Sequence, residues 1–336
     1  MARMRRLALI AGVAGATAAG VGLAERAAAR RLRLPGDPHR DHLHLLPDDV
    51  GHRRLESHDG GSIHLVERGG GRPLVLVHGI TLHAGVWAPQ LHTLADRYRV
   101  VALDVRGHGQ STPGNGGFGR AQAARDLATV LEELDLSGSV LVGHSMGGMI
   151  LMQLCAEHPE VVAGRVGGLV FMDTAAALLP PKLVSLAAGL GKGAARLGGD
   201  RPTVKLDGRG SRDRLWLMSR LTFGSSPPTV AVDQVRDMLG GVPLSTLVPT
   251  ALDLVQHDAR RALARTATPS LVLVGSRDLL TPPRAARRTA ATLPRATLHV
   301  VEGAGHELMA ERPEEVARLL DEFTAGLPPV TAASSS

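Results

Sequence analysis

Short apolar runs alternate with segments of helical periodicity through most of this 336-residue chain. The runs are continuous, which is typical of strands buried on both faces of a parallel sheet. Strands and helices in regular alternation predict an α/β fold, with a mostly parallel sheet and helices on both of its faces. The predicted strands of this sheet are Pro73–Val77, Val100–Leu103, Val140–Val142, Leu169–Met172, Leu271–Val274 and Leu298–Val301. The predicted helices are Trp87–Asp96, Gly119–Leu134, Ser145–His158, Pro282–Leu293 and Pro313–Thr324.

Two segments depart from this alternation. Arg53–Ser57 and Ile63–Arg68 alternate polar and apolar residues around an Asp-Gly-Gly turn, which predicts an antiparallel hairpin at one edge of the sheet. Residues 175–267 hold no strong strand run and instead show helical patterns such as Arg212–Leu221 and Thr229–Leu239. This stretch is therefore predicted to be a helical cap, inserted between two strands of the sheet.

The cap divides the predicted core into residues 51–174 and 268–326, and residues 327–336 are predicted to be a disordered tail. No internal repeat is visible along the chain. The sequence therefore predicts a core with an inserted cap, preceded by a separate N-terminal segment.

The N-terminal segment is basic and apolar. Residues 1–24 open with a basic cluster and continue with the uncharged 18-residue run Leu7–Ala24, and residues 25–50 are predicted to be an Arg-rich linker. A run of this length is near the minimum for a membrane span, but its Ala and Gly residues favour insertion only weakly. We predict a membrane anchor or membrane-associated arm, with association through residues 1–33. A secretory signal and a cytoplasmic location stay open as alternatives.

The net charge of +6 lies entirely in the N-terminal segment. Residues 1–40 contain eight Arg and two acidic residues, so the rest of the chain is electrically balanced. A basic tail on a neutral body is typical of contact with an anionic membrane surface or of a targeting signal. It does not predict the basic groove of a protein that binds nucleic acid.

The cysteine and the clustered histidines are interpreted as ordinary structural residues. Cys155, the only cysteine, excludes an intrachain disulfide and is predicted to be a buried packing thiol. His39, His42 and His44 lie close together, but no carboxylate or cysteine pattern accompanies them, which favours a solvated polar linker over a metal site. The sequence has no Walker motif, CxxC pair or HExxH, so neither a cofactor nor a catalytic metal is predicted.

The segment Gly143-His144-Ser145-Met146-Gly147-Gly148 has the pattern of a nucleophile elbow. It follows a predicted buried strand and opens a predicted helix. A serine on so sharp a turn needs neighbours without side chains two positions to either side, so that strand and helix can approach. The turn lifts the Ser145 hydroxyl clear of the sheet and directs the Met146 N–H towards the same space.

A serine nucleophile needs a base, and the base needs an orienting carboxylate. Asp278 follows the strand Leu271–Val274, and His306 follows the strand Leu298–Val301. Both lie past the carboxyl ends of strands, where open α/β sheets place their sites. The chain order of serine, acid and histidine is the order that the elbow motif requires. We therefore predict Ser145, Asp278 and His306 as a triad, with Asp173 as the rival acid.

The backbone after the strand Pro73–Val77 is predicted to supply a second donor to the oxyanion hole. Gly79 allows the chain to turn so that the Ile80 N–H faces the serine, beside the Met146 N–H. His78, just before that turn, is interpreted as structural. Asp104 and Arg106, in the Gly-rich loop after the next strand, suit phosphate or metal binding, but a tight loop with both residues in structural pairs is favoured.

Five segments carry a resemblance to a known family: HGITLHAGVW, DVRGHGQS, GHSMGG, GSRDLLTP and GAGHELMAERPEEV. They are similar to segments of the α/β-hydrolases of the esterase, lipase and haloperoxidase-like group. The resemblance runs from about Arg53 to Thr324 and implies an eight-stranded sheet, a helical cap after the sixth strand and no cofactor. It also implies a structural role for Trp87. Epoxide hydrolases and haloalkane dehalogenases use a carboxylate where this chain has Ser145, so their chemistry is excluded.

The function predicted from these features is hydrolysis of a small, moderately apolar carboxylic ester through an acyl-enzyme on Ser145. Cleavage of a carbon–carbon bond or a thioester by the same triad is an alternative. A catalytically silent ligand-binding protein is an alternative of another class, which the intact triad disfavours. Apolar residues of the predicted cap that could line a substrate pocket are Leu178, Leu179, Leu183, Trp216, Met218, Phe223 and Met238.

Overall fold

The computed structural model describes residues 22–36, 41–178 and 209–329. In these ranges eight strands form one sheet, and twelve α-helices surround it or cover one edge. The strands are β1 Gly51–Glu56, β2 Ser62–Arg68, β3 Arg72–Val77, β4 Tyr98–Leu103, β5 Ser139–His144, β6 Val166–Met172, β7 Ser270–Gly275 and β8 Ala296–Val301. The helices are α1 (22–32), α2 Ala88–Leu94, α3 Arg120–Glu133, α4 Met146–Glu157, α5 Pro159–Arg165, α6 Arg209–Arg220, α7 Thr229–Gly241, α8 Leu244–Val255, α9 Arg260–Leu263, α10 Pro283–Thr292, α11 Leu308–Glu311 and α12 Pro313–Ala325.

The sheet has the strand order β1-β2-β4-β3-β5-β6-β7-β8. β1 and β2 form the antiparallel edge hairpin, β2 pairs antiparallel with β4, and all later pairs are parallel. The predicted mostly parallel, eight-stranded sheet is therefore confirmed. Because its parallel strands point the same way, the segments that follow β3, β5, β6, β7 and β8 gather at one edge.

Two apolar clusters, one on each face, hold the sheet between its helices. Alternate residues of each central strand enter opposite clusters: Val75 and Val77 of β3 face one, and Leu74 and Leu76 face the other. Because aromatic residues make up only 2% of the chain, Leu, Val and Ala provide most of this core. Cys155 is buried, and this burial raises the pKa of its thiol to about 11.

The helix α1 lies in the segment that was predicted to be a membrane-associated run and a solvated linker. Its Ala29 is only 1% exposed, and Arg33 lies 5.0 Å from the centre of the Trp216 ring on α6. Arg33 also pairs with Asp213 at 4.0 Å and with Asp233 at 3.8 Å. Arg33 of the predicted linker thus contacts α6 and α7. The interpretation of His44 as a solvated linker residue is wrong, because His44 is only 5% exposed.

Helices α6 to α9 lie between β6 and β7 in the chain, where the resemblance implied a cap. Trp216, Phe223 and Met238 are buried in one of the two apolar clusters, whereas Met218 is 53% exposed. Leu178 packs against the other cluster. The predicted cap residues Leu179 and Leu183 lie outside the described residues. The exact division into core, cap and tail stays a prediction.

The predicted anchor or signal falls mainly on residues 1–21, which also lie outside the described residues. Among the helices of the described ranges, none combines the length and the apolar character needed to cross a bilayer. Membrane association and the alternative of export stay predictions.

Candidate active site

Ser145 occupies the sharp turn between β5 and α4 that the sequence predicted. Its backbone has φ 51° and ψ −113°, a left-handed φ that is unusual for a residue with a side chain. Two glycines make this turn possible. A Cβ on Gly143 would lie 2.6 Å from the carbonyl carbon of Gly147, and a Cβ on Gly147 would lie 2.1 Å from the carbonyl oxygen of Val77. β5, α4 and β3 are thus closer together than a larger residue at Gly143 or Gly147 would permit.

The main chain of Ser145 is fixed by two hydrogen bonds from β6 and its following loop. The Ser145 N–H donates to the Met172 carbonyl at 3.0 Å, and the Thr174 hydroxyl donates to the Ser145 carbonyl at 2.8 Å. Thr174 had no sequence signal as a site residue, because its contact depends on how β6 ends beside the elbow. With its backbone fixed, the half-buried Ser145 side chain can only turn about its own bonds.

The three residues of the predicted triad form one hydrogen-bonded chain. His306 Nδ1 lies 2.9 Å from Asp278 Oδ2, and His306 Nε2 lies 3.0 Å from Ser145 Oγ. A carboxylate can only accept, so Nδ1 carries the proton and Nε2 is left to accept from the serine hydroxyl. Asp278 and His306 are both buried, at 2% and 3% exposure.

Asp278 is surrounded by donors that keep it ionised. Its Oδ1 accepts from the N–H groups of Leu280 and Thr281 at 2.8 and 2.9 Å, and its Oδ2 accepts from the Thr281 hydroxyl at 2.7 Å. Burial raises the pKa of this carboxyl, but the hydrogen bond and charge of His306 and the Thr281 contacts outweigh it and lower the pKa to about 2. Thr281 is a further residue that sequence reasoning did not assign to the site.

His306 is held by its main chain as well as by its ring. Its N–H donates to the Thr222 carbonyl at 2.6 Å, and its carbonyl accepts from His144 Nε2 at 2.8 Å. Burial lowers the pKa of His306, but the hydrogen bond and charge of Asp278, with the charges of Glu307 and Glu311, raise it above its ordinary value. His144 stays neutral because burial and the nearby His306 lower its pKa to about 3.

The rival acid, Asp173, lies behind the triad rather than in it. Its Oδ1 accepts from the Gly275 N–H at 2.9 Å, and its Oδ2 has no partner among the described residues. Complete burial and the nearby charge of Asp278 raise its pKa well above the ordinary value, which favours the neutral acid. Asp278, not Asp173, therefore meets His306.

Both predicted oxyanion donors lie in segments that converge on Ser145. Met146 is the first residue of α4, so its N–H is one of the groups that have no acceptor within the helix. The loop that carries Ile80 passes beside the elbow, because a Cβ on Gly79 would lie 3.2 Å from the Ser145 Cβ. After Ile80 the chain turns at Thr81, which has a φ of 69°.

His78 and Asp104 act as structural residues at the base of these loops. His78 donates from Nδ1 to the Gly79 carbonyl at 2.7 Å and accepts at Nε2 from the Val105 N–H at 2.9 Å. Asp104 accepts from the N–H groups of Ala84 and Gln110, at 2.7 and 2.8 Å. Burial lowers the pKa of His78 to about 3, so its ring is neutral and joins the β3 and β4 loops.

Arg106 takes the predicted structural role through a buried ion network with partners outside its own loop. Its side chain is 1% exposed and donates to Asp126 from Nε at 2.8 Å and to Asp59 from Nη1 at 3.0 Å. Ser57 and Asp126 also share a hydrogen bond of 2.6 Å. The β4 loop is therefore tied to the edge hairpin, away from the nucleophile.

No group of three or more His, Cys, Asp or Glu side chains in the described ranges is arranged to hold a metal ion. A cavity of about 900 Å³ lies between α7 and the loops after β3 and β4. His83, Asp104, His108 and Met238 are among its lining residues, and neither Ser145 nor His306 is among them. The large cavity is thus separate from the described part of the triad site.

Comparison with known proteins identifies the family of this chain. A family model described as alpha/beta hydrolase fold matches residues 72–313. A pimeloyl-[acyl-carrier protein] methyl ester esterase from Xanthomonas campestris is 30% identical over 274 residues, covering 79% of this chain and 100% of the relative. A thermophilic esterase from Thermogutta terrifontis superposes with a TM-score of 0.68 at 26% identity, covering 82% of this chain and 98% of that one. An esterase from Exiguobacterium antarcticum superposes with a TM-score of 0.69 at 21% identity, covering 81% and 99%. The chain belongs to the alpha/beta hydrolase fold family.

Proposed function

We propose that this chain is a serine hydrolase that cleaves carboxylic esters through an acyl-enzyme on Ser145. The observation that carries the proposal is the continuous hydrogen-bonded chain of Ser145, His306 and Asp278, with contacts of 3.0 and 2.9 Å. The relative at 30% identity is named as a methyl ester esterase, and the superposed structures include esterases. These names favour a carboxylic ester over the thioester and carbon–carbon alternatives.

The proposed reaction begins with transfer of the Ser145 proton to His306 Nε2 as Oγ attacks the ester carbonyl carbon. Asp278 is ionised, because its pKa is lowered to about 2, and it stabilises the imidazolium that forms. The same Nε2 then returns the proton to the leaving alcohol. Water enters next and loses a proton to His306 as its oxygen attacks the acyl carbon. His306 then returns that proton to Ser145 Oγ as the bond to Oγ breaks and the acid is released.

The negative charge that develops on the carbonyl oxygen is proposed to lie between the N–H groups of Met146 and Ile80. Each donor of this kind is worth about 3 kcal/mol of transition-state stabilisation. The amino end of α4 adds a partial positive charge in the same place. The left-handed φ of 51° at Ser145 supports this arrangement, because a nucleophile elbow exposes the serine hydroxyl beside the next N–H.

A fluorophosphonate probe tests the nucleophile directly. Wild type is expected to be labelled once, on Ser145, because the activated hydroxyl oxygen attacks the phosphorus and fluoride leaves from it. Ser145→Ala is expected to remain unlabelled. A matched control is Ser137→Ala, since Ser137 is a serine of the loop between α3 and β5 and is expected to leave labelling unchanged.

The substrate is tested with nitrophenyl esters of increasing acyl length, together with methyl esters. Turnover that is lost in Ser145→Ala supports the proposal. If wild type is not labelled, or if Ser145→Ala is labelled equally, the serine mechanism is refuted. If Ser145 is labelled but no ester is turned over, a thioester or carbon–carbon bond becomes the better substrate.

A further inference from the structure

A buried carboxylate that the proposed mechanism does not use lies beside His306. Glu311, the last residue of α11, is 3% exposed. Its Oε1 accepts from the N–H groups of Gly305 at 2.8 Å and Glu307 at 3.4 Å, the two residues that flank His306. Its Oε2 accepts from the Gly224 N–H at 2.8 Å. Gly224 belongs to residues 222–225, which we call the cap loop because they lie between α6 and α7.

The cap loop also directly contacts the loop that carries His306. We call this loop, residues 302–307 between β8 and α11, the histidine loop. The His306 N–H donates to the Thr222 carbonyl at 2.6 Å, and the Ser225 N–H donates to the Gly303 carbonyl at 3.0 Å. A Cβ on Gly224 would lie 2.1 Å from the Gly303 carbonyl oxygen. The two loops are therefore in backbone contact, and Glu311 accepts hydrogen bonds from both of them.

The chemistry of Glu311 suits positioning. A carboxylate only accepts, so it can satisfy three N–H groups together, and such charge-assisted bonds are about twice as strong as neutral ones. A glutamine of the same shape has one acceptor oxygen, and its amide nitrogen would face an N–H group as donor against donor. Substitution would thus release either the histidine loop or the cap loop with almost no change in volume.

We propose that Glu311 is a positioning residue that fixes the main chain on both sides of His306 to the cap loop. The imidazole is thereby held in line between Ser145 and Asp278 as long as the cap loop stays in contact with the histidine loop. The inference rests on the proposed function, since it assigns Glu311 to the alignment of the base. Glu307 offers a comparison: it is equally buried, at 4% exposure, and its Oε2 accepts no hydrogen bond among the described residues, lying 3.9 Å from His144 Nε2.

The test measures ester hydrolysis by the full chain carrying Glu311→Gln. We expect kcat to fall about tenfold or more with little change in KM, because a misaligned base slows chemistry rather than binding. The downfield NMR resonance of the proton between His306 Nδ1 and Asp278 is expected to broaden or move. Glu307→Gln removes a charge that raises the pKa of His306, as Glu311→Gln does, but it keeps all the bonds of Glu311. It therefore controls for the loss of charge, and at a pH above the pKa of His306 it is expected to lower kcat clearly less than Glu311→Gln and to keep that resonance.

A second variant disturbs the contact between the two loops from the side of the cap loop. Gly224→Ala leaves Glu311 intact but forces the cap loop away from Gly303, and it is expected to lower kcat in the same way. It decides the matter if Glu311→Gln does not fold, which a thermal melt reveals. Unchanged kcat and resonance in the folded variants, or equal losses in Glu307→Gln and Glu311→Gln, would overturn the inference. Wild type that fails to react with the fluorophosphonate would instead refute the proposed function.

Discussion

Gly147→Ala is expected to displace the chain that leads into the loop after β3, which carries the proposed oxyanion donor Ile80 and is called the oxyanion loop below. The added Cβ would lie 2.1 Å from the Val77 carbonyl oxygen and 2.9 Å from that of His78. Both are backbone atoms, so no side-chain rotation relieves the clash. Ordinary contacts start near 3.4 Å, and the backbone must therefore move by about 1 Å, a displacement that costs roughly 100-fold in rate when it reaches catalytic groups. That factor corresponds to about 2.7 kcal/mol of transition-state stabilisation.

The assay is kcat/KM for a short-chain nitrophenyl ester, with a thermal melt to show that the variant is folded. Gly164→Ala is the matched control: it changes the same residue type in α5, where an added Cβ meets nothing within 4 Å. It is expected to keep full activity and to gain about 0.5–1 kcal/mol of stability from the lower entropy of the unfolded chain. If Gly147→Ala keeps kcat/KM within about twofold of wild type, the close fit does not position the oxyanion loop and the reasoning fails.

Two further variants test the acid and the buried ion network. Asp278→Asn is expected to lower kcat by about 10⁴-fold, because the amide favours the wrong tautomer of His306. It should also move the acid limb of the kcat/KM profile to lower pH, since the neutral base is the active form and Asp278 raises the pKa of His306; an unmoved limb would contradict the pairing. Arg106→Ala should lower the free energy of unfolding in urea by about 3–5 kcal/mol, because it leaves two carboxylates unpaired. The exposed Arg125→Ala should change it by less than about 0.5 kcal/mol, and equal effects would rule out the network as the cause.

The sheet and the triad were predictable because their signals are local. Each buried strand is a continuous apolar run, and each site residue comes directly after one. Asp278 also has a local role that the triad prediction did not include: its carboxylate accepts from the Leu280 and Thr281 N–H groups as well as meeting His306. The following helix begins at Pro283, one residue after the predicted start at Pro282.

The docking of α1 and the role of Glu311 were not predictable, because both depend on contacts far along the chain. Arg33 resembles any solvated arginine until Trp216 and Asp213 are placed beside it. In the sequence, Glu311 resembles any acidic residue near a helix start. Its hydrogen bond from Gly224, 87 residues distant in sequence, becomes visible only in the fold. A pattern in one short segment cannot encode the partner on another.

The buried cysteine gives this chain a practical property. Cys155 is the only thiol, and a pKa near 11 leaves almost none of it as the reactive thiolate at neutral pH. The wild-type protein is therefore expected to react very little with maleimide reagents. A cysteine introduced at the exposed Met218 of α6 would carry a single fluorophore or spin label on the element that precedes the cap loop. The distance from that label to one near the triad would report, in solution, whether the cap loop and His306 move together.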